Sequence, residues 1–125
     1  MSIRHNSGLV AIVDDDESVQ RALQDLIESD GLSTLCFGSA EQFLDYEAQN
    51  KAACLIADIR MPGMSGLELQ AKLKAERCRI PIIFITAHGD AEMRILAMRE
   101  GAAEFLSKPF DDSVLLGIVH AALDR

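Results

Sequence analysis

The stretch Leu9-Val10-Ala11-Ile12-Val13-Asp14-Asp15-Asp16 decides how the chain reads. Five apolar residues in a row suit a strand buried on both faces, the kind found inside a parallel sheet. Three carboxylates follow. Like charges this close repel, and a chain keeps them at a strand's end mainly when a cation or a positively charged side chain offsets the repulsion. A second run, Ala53-Cys54-Leu55-Ile56-Ala57, also ends in a carboxylate, Asp58. A third, Ile82-Ile83-Phe84-Ile85, ends in the hydroxyl of Thr86, and Ala103-Glu104-Phe105-Leu106-Ser107 ends in Lys108. Side by side and parallel, these strands bring acids, hydroxyl and amine to one edge.

Helical patterns separate the runs. Val19, Ala22, Leu23, Leu26 and Ile27 fall at helical spacing, and Gly31 stops that helix. A weak strand follows at about Ser33–Cys36. Ser39 with Gln42 reads as a capping box opening a short helix that presents Ala40, Phe43 and Leu44. Pro62-Gly63 makes a turn, and Ser65 with Glu68 reads as a second capping box, before Leu69 and Leu73. A helix leads from Gly89-Asp90 through Arg99 to Gly101, and Asp111 caps a last helix carrying Leu115, Ile118, Val119 and Ala122. Five βα units predict an α/β fold: a doubly wound, five-stranded parallel sheet covered on both faces. Ligands of such sheets bind outside the carboxyl ends of the strands, where the acids, Thr86 and Lys108 stand.

A chain of 125 residues forms one domain with a core, and 49% hydrophobic with 26% charged residues is a soluble globular mix. The formal charge of −8 argues against direct nucleic-acid contact and favours cations and basic partners. No run approaches the roughly 20 apolar residues needed to cross a bilayer. Met1–Ser7 carries no apolar signal core, so the expected location is cytoplasmic. Cys36, Cys54 and Cys78 are odd in number and match no zinc spacing, so they read as reduced packing residues. Met61, Met64, Met93 and Met98 read as packing as well.

Carboxylate oxygens suit a hard cation such as Mg²⁺, which uses one or two carboxylates, waters and phosphate oxygen. Asp14, Asp15 and Asp58 supply such oxygens, while Lys108 and Thr86 are donors. Donors and a metal around one carboxylate make a site for a phosphoryl group carried on it. Asp58 as nucleophile forms an acyl phosphate.

The strings Ile12-Val13-Asp14-Asp15-Asp16-Glu17, Asp58-Ile59-Arg60-Met61-Pro62-Gly63-Met64-Ser65-Gly66, Ile85-Thr86-Ala87-His88-Gly89-Asp90 and Phe105-Leu106-Ser107-Lys108-Pro109-Phe110 together resemble the receiver domain of two-component response regulators. The His-Gly-Asp and Lys-Pro-Phe elements are similar to the FixJ-like branch. The resemblance implies a flavodoxin-like (βα)5 fold with strand order 2-1-3-4-5, and a single receiver domain over residues 1–125. It also implies that Asp58 accepts phosphate from the phosphohistidine of a sensor histidine kinase. Asp15, Asp58 and the Arg60 backbone carbonyl bind Mg²⁺ directly, and Asp14 acts largely through water. Thr86 and Lys108 bind phosphoryl oxygens, and Phe105 is the aromatic switch that turns inward as Thr86 moves. Where many receivers have Tyr this chain has Phe, which lacks a hydroxyl to read out. The Lys108-Pro109 bond is expected to be cis. Phosphorylation-dependent homodimerisation through Arg94–Arg99 and Ala103–Ser107 is expected. In the FixJ-like branch the receiver precedes a helix-turn-helix DNA-binding domain, so the chain can be the N-terminal part of a longer transcription regulator. His88 is the further residue expected to modulate water access to the phosphoryl group.

Other readings compete. A haloacid-dehalogenase-like phosphatase would use Asp14 as nucleophile and Asp16 as general acid. The chain is short for its substrate-enclosing cap. A calcium loop through Asp14, Asp16 and Ser18 meets Val19 where glycine is needed. A helix start explains Asp16 or Glu17, leaving Asp58 unexplained. A non-phosphorylated interaction domain of the same fold is disfavoured because every expected site residue is present.

Overall fold

The computed structural model describes residues 8–46, 51–87 and 91–124. Five strands and five helices alternate: β1 Leu9–Val13, α1 Glu17–Ser29, β2 Ser33–Phe37, α2 Ala40–Asp45, β3 Cys54–Ala57, α3 Gly66–Ala75, β4 Ile82–Thr86, α4 Ala91–Arg99, β5 Glu104–Ser107 and α5 Asp112–Leu123. All neighbouring strands pair in parallel, in the order β2-β1-β3-β4-β5. This is the flavodoxin-like (βα)5 fold expected. Among the described residues, no helix is long and apolar enough to cross a membrane.

The near-continuous apolar runs follow from burial on both faces. Alternate residues of a strand point to opposite sides. Val10, Ile12, Cys54, Ile56, Ile83 and Ile85 pack with Leu23 and Ile27 of α1 and Leu115 and Val119 of α5. Ala11, Val13, Leu55, Ala57, Phe84 and Phe105 pack with Phe43 of α2, Leu69 and Leu73 of α3 and Ala97 of α4. Burying a side chain of this size stabilises by roughly 1.5–3 kcal/mol. Burial pushes the Cys54 thiol up to about 12, as befits an inert packing residue, and all three cysteines are free.

Caps set the helix starts. Asp16 accepts from the Ser18 amide, and Asp111 from those of Ser113 and Val114. Ser65 and Glu68 form the complete capping box expected, worth about 1 kcal/mol. At Ser39 only half the expected box exists. Ser39 accepts from the Gln42 amide, but Gln42 Oε1 reaches past the cap to the Gly38 amide at 2.9 Å. Ala22, placed on the apolar stripe of α1 by spacing, is exposed, because the contact stripe there is narrow.

Helix ends differ in chemistry. Gly31 and Gly101 follow α1 and α4 with φ of +87° and +105°. After α3 the same left-handed position is held by Arg77 at φ 61°. An L-residue with a Cβ is strained there by roughly 1 kcal/mol relative to glycine.

Candidate functional site

Strand register brings the predicted groups to one edge. Asp14 and Asp58 follow β1 and β3, whose ends are locked by the Asp58 amide donating to Val13 O at 3.1 Å. Lys108 follows β5, and its amide donates to Thr86 O at 2.9 Å. Each acid uses one oxygen for the backbone and turns the other toward the site. Asp14 Oδ1 accepts the Asp16 amide at 2.9 Å, while Oδ2 lies 3.6 Å from Lys108 Nζ. Asp58 Oδ1 accepts the amides of Ile59 at 2.6 Å and Arg60 at 3.3 Å, while Oδ2 lies 3.9 Å from the same Nζ. These backbone bonds restrain the orientation of both carboxylates.

Asp14, Asp15 and Asp58 each offer an oxygen, all within 4.8 Å of one another. Asp14 is 3% exposed. Burial pushes its carboxyl above the ordinary carboxylate value. The Asp16 amide and then Lys108 oppose that rise, and the neighbouring Asp58 and Asp15 charges add to it. Three acids with one facing ammonium leave uncompensated negative charge, and an all-oxygen donor set is what a hard divalent cation takes. The residues therefore fit Mg²⁺.

Thr86 ends β4 on the same face of the sheet as Phe84, and Phe105 pairs with Phe84 in register. Thr86 is 1% exposed, and its hydroxyl has no hydrogen-bond partner among the described residues. Phe105 is buried, its ring centroid 6.4 Å from that of Phe84. The Arg60 backbone lies beside Asp58 through its amide. His88 lies outside the described residues. The Lys108-Pro109 bond is cis, as expected.

Asp16 stands apart from this cluster. Its carboxylate accepts from the Ser18 hydroxyl at 2.6 Å and the Ser18 amide at 2.8 Å, and these bonds hold it below the ordinary carboxylate value. A general acid must keep its proton near neutral pH. The phosphatase reading loses its acid for this reason.

Several supporting residues escaped the sequence reading. Gln20 Nε2 donates to Asp14 O at 2.7 Å, and Glu41 on α2 accepts the Met64 amide at 3.0 Å, steadying the loop after β3. Arg94 on α4 donates to Phe105 O at 2.9 Å, tying that helix to β5. Gly66 opens α3 directly against the Asp58 carbonyl. Only Gly66 left a signal, a glycine at the first helical position just after a strong cap.

The sequence matches the response regulator receiver domain family over residues 10–120. It is similar to nodulation protein W of Bradyrhizobium diazoefficiens, 47% identical over 117 residues, covering 94% of this chain and 52% of that protein. It is also similar to response regulator protein TodT of Pseudomonas putida, 47% identical over 124 residues, covering 97% of this chain and 55% of that one. The crystal structure of FixJ-N superimposes with a TM-score of 0.84 at 38% identity, covering 94% of each chain. The chain spans about half the length of the curated relatives it matches.

Proposed function

The chain belongs to the response regulator receiver domain family, whose members are phosphorylation-controlled signalling switches, and we propose that it takes a phosphoryl group onto Asp58 from the phosphohistidine of a sensor histidine kinase. The observation that carries this is the convergence of Asp14 Oδ2 and Asp58 Oδ2 within 3.9 Å of Lys108 Nζ, at the sheet edge where the Lys108 amide is bonded to the carbonyl of buried Thr86. Asp58 Oδ2 forms the bond to phosphorus as the bond from phosphorus to the imidazole nitrogen breaks. Lys108 offsets charge on the phosphoryl oxygens and Thr86 donates to one of them. Asp14, Asp15, Asp58 and the Arg60 backbone carbonyl would hold Mg²⁺, whose charge, when bound, neutralises the same oxygens.

Thr86 and Phe105 then couple phosphate to the α4–β5 face. Ile95 on that face is 62% exposed, and Leu96 and Met98 are partly exposed. Met98 is thus not the packing residue expected, and exposed apolar groups on a helix suit self-association. Output is transcriptional, through a DNA-binding part of a longer chain, and this acidic domain makes no nucleic-acid contact itself. We assign His88, from its place two residues beyond Thr86, to modulating access of water.

The test is to incubate the chain with Mg²⁺ and a small acyl phosphate donor and map the labelled carboxylate. Label is expected on Asp58, to be absent from Asp58→Asn, and to turn over slowly. The labelled protein is expected to sediment faster than the unlabelled one. Label persisting in Asp58→Asn and lost in Asp14→Asn would return the phosphatase reading.

Mg²⁺ at millimolar concentration is expected to raise Tm, since it binds the folded acid cluster. Asp14→Asn is expected to raise Tm by a few degrees in metal-free buffer and to blunt the Mg²⁺ response. The sign follows from burial. With its folded pKa raised, Asp14 contributes full stability only below the ordinary value of 3.8, and that contribution is lost as pH rises through the folded value. The advantage of Asp14→Asn should therefore fade as pH falls toward 4. Thermal melts with and without chelator decide both points.

A further inference from the structure

We propose that the pole of the domain opposite the acid cluster binds a phosphate monoester with an apolar body, of the nucleoside monophosphate class. A cleft of about 540 Å³ opens there between the end of α3, the loop leading into β4 and the end of α4, a size typical of small-molecule sites. Leu73, Ile80 and Ile82 form its apolar wall. Lys74, Arg77 and Arg79 line it with only Glu100 opposing them, so two net positive charges face the cleft in a chain of net charge −8. A phosphate monoester carries roughly −1.5 to −2 at neutral pH.

The dipole at the end of α3 accounts for Lys72 and Lys74, which also have carboxylate partners: Glu76 at 3.5 Å and Glu100 at 3.0 Å. It does not account for Arg77 and Arg79. Both lie past the last helical residue; the Arg77 amide donates to Lys74 O at 3.0 Å, but neither guanidinium has a hydrogen-bond or ion-pair partner among the described residues. Arg77 also occupies the left-handed position that glycine holds after α1 and α4. A side chain held in a disfavoured backbone conformation beside a cleft is a mark of use. Gln70, which also lines the cleft, is 5% exposed. Its Nε2 donates to Ala97 O at 3.0 Å, and its Oε1 has no donor among the described residues, leaving an acceptor for an amino or hydroxyl group of the ligand body.

The experiment is calorimetric titration of the chain, in chelator, with adenosine monophosphate, inorganic phosphate and adenosine as separate probes. Adenosine monophosphate is expected to bind saturably, and tighter than either fragment. Arg77→Gly is expected to melt at or above the wild-type temperature and to bind roughly tenfold more weakly, as loss of one charge-assisted hydrogen bond requires. Absence of binding at about 10 mM probe, a range that covers weak sites, would overturn the proposal. So would undiminished binding by a well-folded Arg77→Gly. Phosphate or adenosine binding as tightly as the nucleotide would remove the two-part ligand.

Discussion

Gly66→Ala is expected to lower stability by about 3 kcal/mol, a fall of roughly 10 °C in Tm. A Cβ on Gly66 would stand 2.2 Å from the Asp58 carbonyl oxygen and 3.0 Å from Ile59 Cα. Both are backbone atoms, so no rotamer change relieves the clash. The loop itself is pinned, because the Gly66 amide donates to Ile59 O at 2.8 Å and the amides of Ile59 and Arg60 bind Asp58 Oδ1. Moving the loop to make room moves the phosphoacceptor, so labelling at Asp58 should fall together with Tm. Gly117→Ala is the control. Gly117 lies inside α5 with nothing within 4 Å of its would-be Cβ, and alanine there should stabilise by about 0.5–1 kcal/mol. Equal effects of the two substitutions in thermal melts would show that helix propensity, and not the close approach, sets the cost at Gly66.

Lys108→Ala is expected to slow Asp58 labelling by about 10²–10³-fold. Lys108 Nζ is the one cation among the described residues facing both Asp14 Oδ2 and Asp58 Oδ2. Its removal takes away the donor that meets charge on the phosphoryl oxygens. The fold should persist, because the Lys108 amide bond to Thr86 O does not depend on the side chain. With the competing ammonium gone, the Mg²⁺-induced rise in Tm should be kept or enlarged. Initial rates of labelling at saturating Mg²⁺, read beside the melts, separate a lost donor from a lost metal site. A rate within a factor of about 3 of wild type, well short of one such donor, would remove Lys108 from the reaction.

The four strings together pointed to the receiver family, to which residues 10–120 belong. How much of the site they carried depends on the range of each interaction. The run from Leu9 to Asp16, the complete cap at Ser65 and Glu68, and the leucine pair of α3 are local patterns of period and hydrogen bonding, and they were legible residue by residue. Burial of the strands on both faces follows from their unbroken apolar character, so the doubly wound sheet was legible too. Gln42 bonding Gly38 in place of Ser39 was not, since both amides lie within its reach and only the turn geometry chooses between them.

Sequence alone determined which oxygens and nitrogens follow each apolar run, because the run and the polar residue after it are adjacent in the chain. Tertiary structure alone decided which oxygen of each acid faces Lys108, why Gly66 tolerates no side chain, how Arg94 ties α4 to Phe105, and that Arg77 and Arg79 share a cleft with Gln70. Those facts depend on approaches of a few ångströms between segments far apart along the chain, and packing of the whole sheet and its helices sets such distances.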